Sequence, residues 1–141
     1  MNYINSLKTC LNKFFVFKGR ASRSEFWYFA LTYFVIVIVL TTLSGGLFYF
    51  EGLTLIEMIF VIALIIPYYA AGARRLHDLG KSGWWQAAPP IINYFSEIKG
   101  MELEFVILGL VAETILLIFL ALPGHKKDNR FGKKINLKSL S

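Results

Sequence analysis

Three near-continuous apolar blocks constrain this chain before anything else: FWYFALTYFVIVIVLTTL (Phe26–Leu43), LTLIEMIFVIALIIPYYAAG (Leu53–Gly72) and FVILGLVAETILLIFLAL (Phe105–Leu122), of 18, 20 and 18 residues. As helices rising about 1.5 Å per residue they reach roughly 27–30 Å, the thickness of a bilayer's hydrocarbon core. The VIVIV run in the first block would favour a strand in water, but a lone strand in lipid leaves its backbone polar groups unpaired, and a helix does not. The chain's 141 residues are one domain's worth, and 56% of them are apolar with only 17% charged, against roughly 45–50% and about 25% in soluble domains. An all-α membrane protein is therefore expected. The first block begins after 25 mostly polar or amphipathic residues without a small-x-small cleavage pattern, so it is expected to stay attached as a span.

A fourth piece, WWQAAPPIINYF (Trp84–Phe95), has 12 residues and a double proline. Length alone suggests a re-entrant or interfacial segment, whereas charge points to a crossing. Lys8, Lys13, Lys18, Arg20 and Arg23 precede the first block, and Arg74, Arg75 and Lys81 follow the second. Lys126, Lys127, Arg130, Lys133, Lys134 and Lys138 follow the last. The loop around Glu51 has no basic residue, and Ser96–Glu104 has one lysine against three glutamates. If Trp84–Phe95 crosses, 14 of the 15 basic residues share one side, as the positive-inside rule asks; otherwise six are misplaced. The expected fold is thus a four-span transmembrane helical bundle with both termini cytoplasmic. Its spans lie at about 26–43, 53–73, 82–98 and 105–122, the third bent at Pro89–Pro90. An interfacial helix (1–18) precedes the membrane domain (19–124), and a basic cytoplasmic tail (125–141) follows it.

The same distribution accounts for the net charge of +6 without nucleic acid, for which no reading motif is present. One cysteine, Cys10, permits no internal disulfide and suggests no metal cluster. In MNYINSLKTCLNKFF, Tyr3, Ile4, Leu7, Cys10, Leu11, Phe14 and Phe15 recur at helical steps, while Asn2, Asn5, Ser6, Lys8, Asn12 and Lys13 take the other side. This pattern predicts an amphipathic helix on the cytoplasmic leaflet, ended at Gly19; packing on the protein itself or on a partner is the alternative. Ser22 and Glu25 have the spacing of a capping box for the first span.

RRLHDLGKSGWW (Arg74–Trp85) reads as a tight cytoplasmic turn between spans two and three. The helix is expected to run to Leu79 and close at Gly80, with Arg74 or Arg75 pairing with Asp78, Ser82 as N-cap, and Trp84 and Trp85 in the aromatic belt. Catalytic readings are weaker. His77 and Asp78 are helix neighbours pointing about 100° apart, and GKS lacks the upstream glycine and the strand of a P-loop.

FKGRASRSEFW, ARRLHDLGKSGWW and PGHKKDNRFG, in this order, resemble the DUF 805 family of small bacterial inner-membrane proteins of unknown function. The resemblance covers Phe17 to Gly132 and implies a multi-span plasma-membrane protein with no established reaction; no cofactor or metal is expected. The chain departs from the family pattern at Leu79, at His125–Lys127, and in the longer separation of WW from the final PG.

All three motifs fall on the predicted cytoplasmic face. Arg20, Arg23, Glu25, Arg74, Arg75, His77, Asp78, Lys81, Asp128, Asn129 and Arg130 are expected to form one polar cluster, with arginines bridging Glu25, Asp78 and Asp128. Surplus cations would face anionic lipid or a partner protein, a second copy included. Within the membrane, Glu113 sits mid-span, where a charge costs at least about 2.5–3.5 kcal/mol. Gly109 is four residues before it on the same face. Glu57 lies about one turn inside span two's outer end. The expected function is non-enzymatic. The alternative is a small transporter or channel component that couples protons or ions through Glu113 and Glu57.

Overall fold

The computed structural model describes residues 1–43, 55–99 and 102–135. The loop around Glu51, the first residues of the expected second span and the end of the basic tail, Lys138 included, lie outside the described residues. Regular structure among the described residues is helical: α1 (Tyr3–Asn12), α2 (Arg23–Leu43), α3 (Leu55–Asp78), a short 3-10 helix (Gly83–Ala87), α4 (Ala88–Lys99) and α5 (Glu102–Ala121). Three of these contain stretches long and apolar enough to cross a membrane: Arg23–Leu43, Glu57–Asp78 and Leu103–Ala121. They coincide with the three apolar blocks.

The described chain forms two compact units. The first contains Met1–Phe17 and Ser24–Ala71. Here α1 lies on the start of α2 through small side chains. Ser6 and Cys10 are fully buried, Cys10 Sγ is 3.5 Å from the Glu25 carbonyl, and the Tyr3 hydroxyl meets Thr32 Oγ1 at 2.7 Å. Burial of Ser6 departs from its expected place on the polar side. Its hydroxyl donates to the Asn2 carbonyl at 2.9 Å, so burial leaves no orphaned group. The larger apolar residues Ile4, Leu11 and Phe15 remain exposed. The helix also ends at Asn12, well before Gly19: Lys13 leaves helical geometry while its N–H still bonds the Thr9 carbonyl. Gly19, at φ 89°, shapes the later turn. Between α2 and α3, the Tyr68 ring stacks on Tyr33 with centroids 5.0 Å apart and meets Phe26 and Phe34.

The second unit contains Lys18–Arg23 and Gly72–Ile135. α3 ends at Asp78, and Gly80 takes the left-handed conformation at φ 71°, as its sequence position predicts. Ser82 caps the 3-10 helix, its side chain accepting from the Trp84 N–H at 3.4 Å. The expected third span is therefore not one bent α-helix: Gly83–Ala87 is 3-10 and α4 starts at Ala88. The prolines occupy the first turn of α4, where a missing N–H forfeits no intrahelical bond, so they begin a helix instead of bending one. α4 packs along α5, two residues away in sequence.

The tight seat of Cys10 gives a direct check. Cys10→Leu should overpack the α1–α2 contact by about 1–3 kcal/mol and lower the thermal midpoint in detergent, followed by circular dichroism. Ile4→Leu, on the exposed side of α1, should leave that midpoint unchanged.

Candidate functional site

The polar centre of the second unit is built around the Asp78 carboxylate at the last residue of α3. Residue 78 is only 5% exposed, and an ionised carboxylate removed from water needs charged or strongly donating partners. It has two. Arg20 brings Nε to 2.7 Å and Nη2 to 2.6 Å from Oδ1, while Arg75 donates from Nη1 to Oδ2. The Arg75 contact is the i, i+3 helix pair that the spacing allows; the Arg20 contact joins residues 58 positions apart.

Both guanidiniums then turn their remaining donors to backbone carbonyls. Arg75 Nε donates to Leu120 O at 3.0 Å and Nη2 donates to Leu122 O. These carbonyls lie at the C-terminus of α5, where the last turn lacks intrahelical donors and favours a cation. Arg75 thus caps one helix while paired to the end of another. Arg20 gathers the tail: Nη2 donates to His125 O at 2.7 Å, and Nη1 donates to Lys127 O at 2.9 Å and Gly132 O at 3.3 Å.

The backbone closes the same knot. Asp78 O accepts from His125 N–H at 2.9 Å, and Arg74 O accepts from Ala21 N–H at 3.0 Å. Gly124 is required by this approach, because a Cβ there would stand 2.5 Å from Asp78 Cγ. His77 does not act with Asp78. Its Nδ1 donates to Gly19 O at 3.1 Å, and its ring stacks on Phe131, 4.0 Å between centroids with planes 6° apart. Asn129 Nδ2 donates to His77 O at 2.9 Å, and the Arg130 guanidinium lies over Phe131.

The structure therefore unites Arg20, Arg75, His77, Asp78, Asn129 and Arg130, with the Arg74 carbonyl, in one cluster. Asp128 does not accept an arginine: it is exposed, and its Oδ1 accepts from Lys134 N–H at 2.8 Å, within the tail's own turn. Arg23 is exposed at the first residue of α2, and Glu25 is buried in that helix's first turn. Lys81 is exposed with Nζ 5.2 Å from the Trp85 ring centroid. Glu57 is half-buried in the first turn of α3. Glu113 is half-buried too, on the covered face of α5 with Gly109 and Leu120. The sequence reading missed Gly124 and Phe131, although PGHKKDNRFG contains both. Its charged letters drew attention from a glycine that makes room and a ring that stacks.

The residues meeting here come from FKGRAS, ARRLHDLG and PGHKKDNRFG. A family model described as "Protein of unknown function (DUF805)" matches residues 14–133, which hold all three. The chain belongs to the DUF805 family. DUF805 relatives include the Escherichia coli K12 "Inner membrane protein YhaH", 30% identical over 124 residues, covering 86% of this chain and 88% of that protein. "Inner membrane protein YhaI" of the same strain is 28% identical over 132 residues, covering 92% and 91%. "Uncharacterized protein YiiR" is 36% identical over 131 residues, covering 84% and 85%. No solved structure matches the chain. With three helices fit to cross a bilayer, this DUF805 chain is a membrane protein.

Removing one partner of a buried ion pair typically costs about 3–5 kcal/mol, because the other charge stays buried. Asp78→Asn should therefore sharply reduce folded, monodisperse protein on size exclusion in detergent. Gly124→Ala should do the same by displacing the carboxylate. Asp128→Asn, at an exposed site, should cost less than about 1 kcal/mol.

Proposed function

We propose that this protein is a non-enzymatic, four-span integral protein of the bacterial cytoplasmic membrane, with both termini cytoplasmic. Its Asp78 cluster staples helix ends together, and its outlying cations meet anionic lipid or a partner membrane protein, a second copy included. The carrying observation is where the buried donors go. Arg20 and Arg75 direct theirs to Asp78 and to five backbone carbonyls, so a ligand would have to displace protein acceptors to reach them. Lys81, Lys126, Lys127, Arg130, Lys133 and Lys134 are exposed.

Geometry within the second unit supports the fourth crossing. Trp85 lies against Phe119, 6.1 Å between centroids, near the C-terminus of α5. Lys99, at the other end of the segment, is three residues before the N-terminus of α5. The segment thus starts beside one end of a membrane-length helix and finishes beside the other. Five 3-10 residues at about 2.0 Å and twelve α-helical ones at about 1.5 Å reach roughly 28 Å, close to the bilayer core. The exposed Ile4, Leu11 and Phe15 of α1 support an interfacial position for that helix. The inner-membrane location rests on the names of YhaH and YhaI and on the one-sided basic residues.

A second reading, proton or ion coupling through Glu113 with Glu57, has one observation in its favour. Glu113 is a carboxyl on the covered face of a membrane-length helix, and no hydrogen bond or ion pair reaches it from a described residue. Proton flux into liposomes that vanishes in Glu113→Gln would select that reading, and its absence in wild type would reject it.

Two tests address the leading proposal. With Cys10 replaced, a cysteine at Glu97 should react with a membrane-impermeant maleimide from outside intact cells, and one at Lys138 only after permeabilisation. Labelling of Lys138→Cys in intact cells would contradict the topology. Arg75→Glu should abolish folded protein. The triple change Lys126→Gln, Lys127→Gln and Arg130→Gln should leave it folded and strip away co-purifying lipid or protein. The opposite pattern would contradict the staple.

A further inference from the structure

The staple has a neighbour that it shapes without using. A groove of about 310 Å³ lies beside it, lined by Leu79, Lys81, Phe119, Leu122, Pro123 and His125. Four of the six are apolar and lie at helix ends: Leu79 just past α3, and Phe119, Leu122 and Pro123 around the end of α5. The other two carry nitrogen donors. This is the polarity profile of a membrane interface, apolar toward the core and cationic at the headgroups.

The two polar residues are anchored through their backbones. Both backbone groups of His125 are engaged by the staple, its N–H by Asp78 O and its carbonyl by Arg20 Nη2. Its ring rests on Gly80, where a Cβ would stand 2.6 Å from Cε1. Lys81 is the next residue; its backbone N–H donates to Leu76 O at 2.9 Å, and its ammonium lies 5.2 Å from the Trp85 ring centroid. That ring in turn leans on Phe119. Fixing these backbones beforehand lowers the entropy cost of binding.

We propose that this groove binds an anionic glycerophospholipid of the cytoplasmic leaflet. The Lys81 ammonium and the His125 ring N–H take its phosphodiester, and Leu79, Phe119 and Leu122 take the upper part of an acyl chain. This rests on the reading that the Asp78 end of α3 meets the cytoplasmic leaflet. It deepens that reading by assigning the lipid to one site instead of to the basic surface at large. Charge complementarity selects the occupant. A zwitterionic lipid adds a choline or ethanolamine cation beside Lys81, and a free phosphate leaves the apolar floor unused.

The test uses full-length protein with Trp27→Phe and Trp84→Phe, leaving Trp85 as reporter, in nanodiscs of phosphatidylcholine with a fixed fraction of bromine-labelled lipid. Brominated phosphatidylglycerol should quench Trp85 about fivefold more strongly than brominated phosphatidylcholine, the ratio equivalent to ~1 kcal/mol per near-surface lysine. Lys81→Gln and His125→Asn should each bring that ratio toward one. Lys133→Gln, an equal charge change in the exposed tail, should leave it intact, as should excess inorganic phosphate. Equal quenching by the two lipids in the reporter protein overturns the proposal without any further variant. So does a ratio that survives both groove changes, or one that falls equally with Lys133→Gln, which would mean diffuse attraction. Relief by inorganic phosphate overturns it in favour of a small-anion site. Maleimide labelling of Lys138→Cys reports on the leaflet separately. If that cysteine reacts only after permeabilisation while the lipids quench equally, only the groove assignment fails.

Discussion

A carboxylate taken out of water must be answered by charge, and much of the second unit follows from how Asp78 is answered. Two arginines converge on it from very different distances in the sequence, one three residues back on its own helix and one from the segment leading into α2. Neither guanidinium is satisfied by a carboxylate alone, so each seeks carbonyls, and the carbonyls within reach belong to the end of α5 and to the tail. One ion-paired centre thereby draws in three stretches of chain. The close approach leaves no room for a side chain at residue 124. The arrangement stabilises less through the net strength of the pairs, since desolvation offsets much of their attraction, than through the cost of leaving any member uncompensated.

A second constraint is the bilayer's thickness, which acts on length and not on chemistry. α2, α3 and α5 meet it with membrane-length stretches. In the proposed fourth crossing, the segment between α3 and α5 would have fewer residues available, and its opening 3-10 turn has the greater rise per residue that gains distance from a short sequence. Pro89 and Pro90 fit this solution because the first turn of a helix is where proline costs least. The same helix ends that carry the staple also carry the exposed Trp84, Trp85 and Lys81, so one turn combines internal ties with residues suited to headgroups.

Much of this was legible in the sequence because it depends on local spacing. Apolar run length marked three helices, i, i+3 spacing marked Arg75 and Asp78, Gly80 marked a helix end and Ser82 a helix start. The convergence of three motifs was inferable from charge sidedness and from the family resemblance. What stayed hidden depends on acceptors that have no letter. The carbonyls of Leu120, Leu122, His125, Lys127 and Gly132 receive the arginines, and any residue could have supplied them. Asp128 resembled Asp78 by type yet serves its own turn. Ser6 looked polar and is buried, since a neighbouring carbonyl satisfies its hydroxyl. The early end of α1 at Asn12 likewise follows from local backbone geometry that periodicity does not register.

The long-range pair between Arg20 and Asp78 is the most direct point of attack on this account. A double-mutant cycle on the thermal or denaturant stability of purified protein, with Arg20→Gln and Asp78→Asn alone and combined, isolates their coupling. Strong non-additivity is predicted, the loss in the double variant falling short of the sum of the single losses by about 1.5–3 kcal/mol, as expected for charged hydrogen bonds. Additive losses, within a few tenths of a kcal/mol, would mean that the two residues act independently and that Asp78 does not hold these helix ends together.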